Sequence, residues 1–286
     1  MENFREIKSL DFIEIKKEEF YNLRNYVYKQ IGINLGEDKI ALVTGRLQKI
    51  LRKLNLNNFS EYYNYLISEK TGEALSELAN TISTNHTFFG REREHFDFFQ
   101  HVALPEIVER CKANHSKDIR IWSAGCSSGE EPYTLVMLMQ EFFGDQYKNW
   151  DAGVLATDIS LKALAFAKTG VYPVERIGNL QENFKKKYFK KTEKGEFEVI
   201  DSIKKEVTFR RFNLMNPQFP FKKKFDVIFC RNVMIYFDEE TRTNLVDKFY
   251  DLTVPDGYLF IGHSESLKRN LTRYHYIKPA LYKKIL

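Results

Sequence analysis

From residue 118 onward, short apolar runs and helix-period segments take turns, and that alternation limits the possible folds more than any other feature of the sequence. "IRIWSAG" is an apolar run closed by glycine, "PYTLVMLMQEFF" has helical spacing, "GVLATDIS" is a second apolar run, and "LKALAFAKTG" reads as a helix stopped by Gly170. "VTFRRFNL", "FDVIFCRNV", a helix capped by Asp238 over "DEETRTNLVDKFYDL", a turn at "PDG" and the run "GYLFIGH" continue the pattern. Such alternation predicts an α/β fold, a mainly parallel sheet covered on both faces. Residues 171 to 207 break the order: "NFKKKYFKKTEKGEFEVIDSIKKEV" reads as a helix followed by a polar β hairpin around Gly195, an inserted subdomain.

Residues 1–85 carry helical patterns alone and predict a small N-terminal all-helical domain, with 86–117 as linker and connecting helix and 118–286 as the larger domain. Phe20, Leu23, Val27 and Ile31 recur at 3-4-4 spacing up to Gly32. In "DKIALVTGRLQKILRKLNL", Leu47, Ile50, Leu51 and Leu54 share one side. Arg46, Lys49 and Lys53, with Arg52 beside them, form a basic side, either solvated or suited to an acidic partner. A third helix in "NFSEYYNYLISE" starts at Asn58 or Ser60, and "GEALSELANTI" follows.

With 286 residues, 43% of them hydrophobic, the chain can bury a substantial core. It shows neither a signal-peptide pattern nor an apolar stretch of membrane-spanning length, so a cytoplasmic, non-membrane protein is expected. Cys111, Cys126 and Cys230 lack C-x-x-C spacing and predict free thiols, with no disulfide framework and no metal site. The net charge of +5 and the lysine clusters at 185–191, 204–205 and 222–224 permit an acidic or nucleic-acid partner without requiring one.

Ligands of an open parallel sheet bind at the carboxyl ends of its strands. The first strand ends in "SAGCSSGEE", the second in Asp158, the third in Asn213 and Leu214, the fourth in Arg231 and Asn232. Bare backbone before a helix suits phosphate, but Glu130 and Glu131 stand at the mouth of this turn, no P-loop lysine follows, and the G-x-G-x-x-G spacing is missing. Each residue alone has an ordinary alternative: the glutamates favour the helix dipole beside Pro132, and Asp158 caps the next helix. All the strand ends together read as a ligand edge. An acid after the second strand suits ribose hydroxyls, and acids near the turn suit a cationic ligand, which points to a phosphate-free nucleoside cofactor, S-adenosylmethionine.

"WSAGCSSGEEPYTL", "ATDIS", "FCRNVMIYFDEETR", "DGYLFIGHSESL" and "TNHTFFGRE" closely resemble the CheR family of chemotaxis receptor methyltransferases over nearly the whole chain. The resemblance implies a Rossmann-like S-adenosylmethionine-dependent methyltransferase fold, and methyl transfer to glutamate side chains of chemoreceptors as glutamyl methyl esters. Carried over by motif, it implies cofactor contacts at Asn85, Thr87, Arg91, Glu131, Asp158, Asn213, Leu214, Arg231 and Asn232, with Tyr236 near the transferred methyl. Arg91 is expected to hold the substrate carboxylate or to close over the cofactor. It also implies docking on the cytoplasmic domain of the receptors, for which the basic helix Arg46, Lys49, Arg52, Lys53 is suited. Gly90 stands where relatives often have a second aromatic. The short lysine-rich insert lacks the glycine-rich loop with which some relatives grip a tethering peptide, so the tether-independent type is expected.

Two other readings remain. A nucleic-acid methyltransferase shares the cofactor fold, and Cys230 lies near the place of a cytosine-methylating nucleophile, but D/N-P-P-Y/F is replaced by "CRNVMIYF". A non-catalytic S-adenosylmethionine-binding module would more readily lack Arg91, Asp158 or Tyr236, and all are present.

Overall fold

The computed structural model describes residues 12–83 and 86–285. Four helices come first: α1 (Lys17–Ile31), α2 (Ile40–Lys53), α3 (Phe59–Ser68) and α4 (Glu73–Ile82). Phe20, Leu23, Val27 and Ile31 all fall on the buried face of α1, and Gly32 ends it in the left-handed region. Asn58, not Ser60, caps α3, its side chain accepting a bond from Glu61 N at 2.8 Å. On α2, Leu47, Ile50 and Leu51 are buried while Lys49, Arg52 and Lys53 are exposed.

Arg46 corrects the expected basic face. Its Nη1 donates to the carbonyls of Ile82 (2.6 Å) and Ser83 (3.3 Å), at the end of α4 where helical carbonyls run out of partners. Lys53 pairs with Glu77 at 2.8 Å, which leaves Lys49 and Arg52 as the more open cations of the row.

The linking segment leads into α5 (Arg93–Phe98), a π-helical turn at Phe99–Ala103, and α6 (Leu104–Ala113). The alternation then follows as expected: β1 (Asp118–Ala124), α7 (Glu130–Phe143), β2 (Asp151–Asp158) and α8 (Leu161–Thr169). The insert comprises β3 (Val171–Tyr172), α9 (Val174–Ile177), α10 (Glu182–Tyr188), β4 (Phe189–Lys191), β5 (Phe197–Val199) and α11 (Asp201–Lys204). Its small antiparallel sheet has the order β3-β5-β4, with Gly195 in the β4–β5 turn. β6 (Val207–Arg211), β7 (Phe225–Cys230), α12 (Glu239–Leu252), β8 (Thr253–Ile261), β9 (His275–Lys278) and β10 (Leu281–Lys283) complete the chain. Asp238 caps α12, accepting from Thr241 N at 2.9 Å. The "PDG" stretch, read as a turn, lies inside β8: Asp256 takes φ 57° and the register against β7 shifts there, so a bulge absorbs the bend without ending the strand.

The main sheet runs β6-β2-β1-β7-β8-β10-β9, parallel from β6 to β8 and antiparallel across β10 and β9. Neighbouring residues of β1 point to opposite faces, as the period of two requires. Ile121 joins an apolar cluster with Val136, Ile107 and Phe229, and Trp122 joins another with Phe249 and Ile228. That second cluster also contains Phe20, Leu47 and Leu78, so the N-terminal helices share a core with one face of the sheet. Polar ties fix the docking: Asn213 Nδ2 donates to Gln30 O (2.7 Å), Asn34 N to Tyr236 O (2.9 Å) and Leu161 N to Ser76 Oγ (2.8 Å). Among the described residues no helix is long and apolar enough to cross a membrane.

Candidate active site

The strand order reverses between β1 and β7, and a crevice opens beyond their carboxyl ends. It encloses about 1090 Å³ when its open mouth is included. Glu131, Asp158, Asn213, Leu214, Arg231, Asn232 and Tyr236 all line it from the sheet side, and Thr87 and Arg91 from the linking segment. Asn85 lies outside the described residues. The N-terminal helices add a wall the sequence did not announce, with Ile31, Ile33 and Ala79 on the cavity.

The glycine-rich turn owes its shape to backbone conformations that side chains resist. Gly125 has φ 86°, and a Cβ there would come within 2.4 Å of Val233 Cγ2. Ser127 is left-handed at φ 47° without being glycine, and its N–H donates to Asp158 Oδ2 at 2.8 Å. Asp158 Oδ1 accepts from Ser160 N at 2.8 Å, while the cap of α8 is Ser160 itself. Asp158 is therefore a brace between two strand ends. Burial pushes its carboxyl above the ordinary aspartate range, against the pull of the backbone N–H groups.

Glu130 and Glu131 open α7, and successive helical positions point about 100° apart. Glu130 turns inward, fully buried on Ser128 Oγ (2.7 Å) and Arg176 Nη1 (2.8 Å). Burial raises its pKa despite those partners. Glu131 accepts from Ser123 Oγ (2.7 Å) and Arg231 Nη1 (3.0 Å) and faces the cavity. Arg176, which sequence reasoning passed over, also donates to Thr87 O, and Phe89 N donates to Arg176 O at 3.0 Å. The insert thus fastens the linking segment to the wall of the cavity.

Arg231 is the hub. Its buried guanidinium meets Glu131 Oε2 at 3.0 Å and Glu92 Oε2 at 3.1 Å, donates to Arg91 O, and lies over the Phe96 ring. Burial disfavours the Glu92 carboxylate, but the Arg231 charge and hydrogen bonds from Asn232, Arg231 and the His263 backbone outweigh it and hold the pKa below the usual range. Glu92 and Asn232 are both left-handed, at φ 56° and 59°, and Asn232 Nδ2 donates to Glu92 Oε1 at 3.2 Å. Glu265, buried in the "GHSE" stretch, accepts from Asn232 N (2.9 Å) and Ile235 N (3.0 Å) and fixes the loop after β7. Glu92 and Glu265 had no assigned role at the sequence level, where an acid with a distant partner looks like any surface acid.

Gly90 has φ 77° in a turn closed by Arg91 N donating to Phe88 O at 3.3 Å, a type II pattern that favours glycine at the third position. The glycine that departs from the family's aromatic is thus what turns the chain just before Arg91. The Arg91 guanidinium donates to His86 O at the cavity rim. Tyr236 ends a short 3-10 turn, Met234–Tyr236, and is half-buried at the cavity. Cys230 is fully buried inside β7 and its thiol is pushed well above its ordinary pKa by burial, the opposite of what a nucleophilic thiolate needs.

Among the described residues the cavity wall contains two guanidinium groups and no lysine, and one of the two, Arg231, is already met by Glu92 and Glu131. An acid-edged crevice without a phosphate cradle, on a parallel sheet of this order, defines a nucleoside-binding α/β enzyme of the methyltransferase class. Residues 85–282 match the family described as CheR methyltransferase, SAM binding domain, and residues 18–83 the CheR methyltransferase, all-alpha domain. The chain is 47% identical over 272 residues to a chemotaxis protein methyltransferase of Borreliella burgdorferi, covering 95% of this chain and 96% of that one. It is 35% identical over 259 residues to a chemotaxis protein methyltransferase of Escherichia coli, covering 88% of this chain and 87% of that one. The chain belongs to the CheR methyltransferase family, and it is an S-adenosylmethionine-dependent methyltransferase.

Proposed function

We propose that the chain methylates glutamate side chains of chemotaxis receptors in the cytoplasm, giving glutamyl methyl esters. One observation carries this reading: the acids Glu131 and Asp158 and the cation of Arg91 line one cavity, so it offers acids to a cationic nucleoside and, at its rim, a guanidinium to an anionic acceptor. S-Adenosylmethionine supplies a methyl on a cationic sulfur. Asp158 accepts hydrogen bonds from the ribose hydroxyls, and Glu131 receives the amino group. Thr87, Asn213, Leu214, Arg231, Asn232 and residue Asn85 complete the cofactor's surroundings. Arg91 holds the acceptor carboxylate and Tyr236 orients it. A glutamate is already anionic at pH 7, so no general base is required, and the acceleration comes from proximity and orientation.

Asp158→Ala should weaken S-adenosylhomocysteine by about 10- to 100-fold, the scale of hydrogen bonds to a charged group, as read by calorimetric titration. Unchanged affinity would sink the ribose assignment. In the unsubstituted protein, the raised pKa of Asp158 means that affinity begins to fall, as pH is lowered, before the ordinary aspartate value of about 3.9 is reached.

Lys49 and Arg52 are proposed to steer the enzyme onto an acidic receptor surface, with Lys53 and Arg46 contributing less because they are engaged with Glu77 and the end of α4. Reversing both charges (Lys49→Glu with Arg52→Glu) should slow receptor methylation about tenfold or more at low salt and little at high salt, with cofactor affinity unchanged. An unaltered rate at low salt would place docking elsewhere. In the insert, the β4–β5 turn is closed by Thr192 N donating to Glu196 O at 2.8 Å and holds a single glycine, which supports the tether-independent type.

A further inference from the structure

Outside the cofactor cavity, α5 and the loop after β8 bring Glu92 of the Arg231 hub together with two histidines that the methyl-transfer reading does not use. His95, on α5, is 1% exposed, and neither ring nitrogen has a hydrogen-bond partner. A buried imidazole with both nitrogens unmet carries a desolvation cost that a ligand would relieve. Its Nδ1 lies 3.4 Å from Glu92 Oε2, and its ring stands edge-on to that of His263, with centroids 4.5 Å apart. One donor atom from each of Glu92, His95 and His263 fits within a span of 4.8 Å. At the rim, Glu94 Oε2 is 3.6 Å from His263 Nε2.

We propose that Glu92, His95 and His263 form a binding site for a first-row divalent transition metal, with Glu94 orienting His263. Two imidazoles and one carboxylate are a donor set suited to zinc, and the fourth position would be open to water. Tetrahedral zinc with bonds of about 2.0–2.1 Å spaces its donors roughly 3.3 Å apart, so the widest pair of the cluster must close by up to about 1.5 Å. The exposed His263 ring can supply that movement by side-chain rotation. A carboxylate on the far nitrogen of a ligating histidine is the usual device that fixes its tautomer and direction, and Glu94, 3.6 Å from His263 Nε2, would take that role by closing a few tenths of an ångström. Glu92 Oε2 also accepts from Arg231, so the metal and the guanidinium share one carboxylate. The bound ion would fasten the segment that carries Arg91 to the loop that carries Glu265.

The test is equilibrium dialysis of the whole chain against zinc, with cobalt as a spectroscopic probe. One zinc per chain is expected, with intense visible cobalt bands of a four-coordinate nitrogen and oxygen site. His263→Asn, at an exposed position, should weaken zinc at least tenfold and abolish the bands. His95→Phe should do the same, and Glu94→Gln should weaken zinc by about tenfold, the lower end of the usual cost of losing an orienting partner. The three cysteines are buried, so thiols do not compete. No zinc bound, or zinc bound equally well by the His263→Asn protein, would overturn the proposal, the latter by assigning the ion to other surface histidines.

Discussion

Arg231→Ala is expected to destabilise the fold by about 3–5 kcal/mol and to abolish measurable cofactor binding, because it leaves Glu92 and Glu131 as uncompensated charges in a largely buried setting. The pH dependence identifies the cause. Glu92 has a depressed pKa in the folded protein, so its contribution to stability is present above the unfolded glutamate value of about 4.3 and is lost as pH falls through the folded value. Without Arg231, burial is opposed at Glu92 only by the Asn232 and His263 hydrogen bonds, so its pKa rises and the deficit in the variant should shrink as pH is lowered towards the carboxylate range. Denaturant unfolding of both proteins at pH 8 and pH 5 checks this. A deficit that is small, or that does not change with pH, would mean that Arg231 acts by packing on Phe96 rather than by charge.

Arg91→Ala is expected to slow methyl transfer by about 10²–10³-fold, the scale of losing one preorganised charge-stabilising donor, while changing S-adenosylhomocysteine affinity by less than about tenfold. The guanidinium sits at the cavity rim, held by His86 O, where it can reach an incoming carboxylate without being part of the Glu92–Arg231–Glu131 cluster. Arg91→Lys should recover only part of the rate, since an ammonium keeps the charge and loses the planar fork. Single-turnover rates beside calorimetric affinities separate the outcomes. Equal losses in rate and affinity would make Arg91 a cofactor clamp rather than the holder of the acceptor.

What could be read in the sequence was what the local chain encodes. The turns at Gly32 and Gly170, the cap at Asp238, the apolar run of β1 and the polar strand ends all depend on residues within a few positions of one another. They emerge as the pattern predicts. The rest depends on partners far along the chain. Arg231 meets Glu92 across 139 residues, and Arg176 meets Glu130 across 46. Arg46 leaves its basic row for carbonyls 36 residues on. Nothing in spacing marks those charges as buried. Glu130 and Glu131 make the point most sharply: adjacent and identical in type, they differ only by one helical step, which sends one to a buried arginine and the other to the cavity.

Methyl transfer to a carboxylate is the central claim, and the chemistry of the product tests it most directly. Incubated with labelled S-adenosylmethionine and membranes that contain chemoreceptors, the protein should place label on the receptors, and mild alkali should release it as volatile methanol, as a methyl ester requires. Label that resists alkali, or that appears in RNA while the receptors stay unlabelled, would contradict the account.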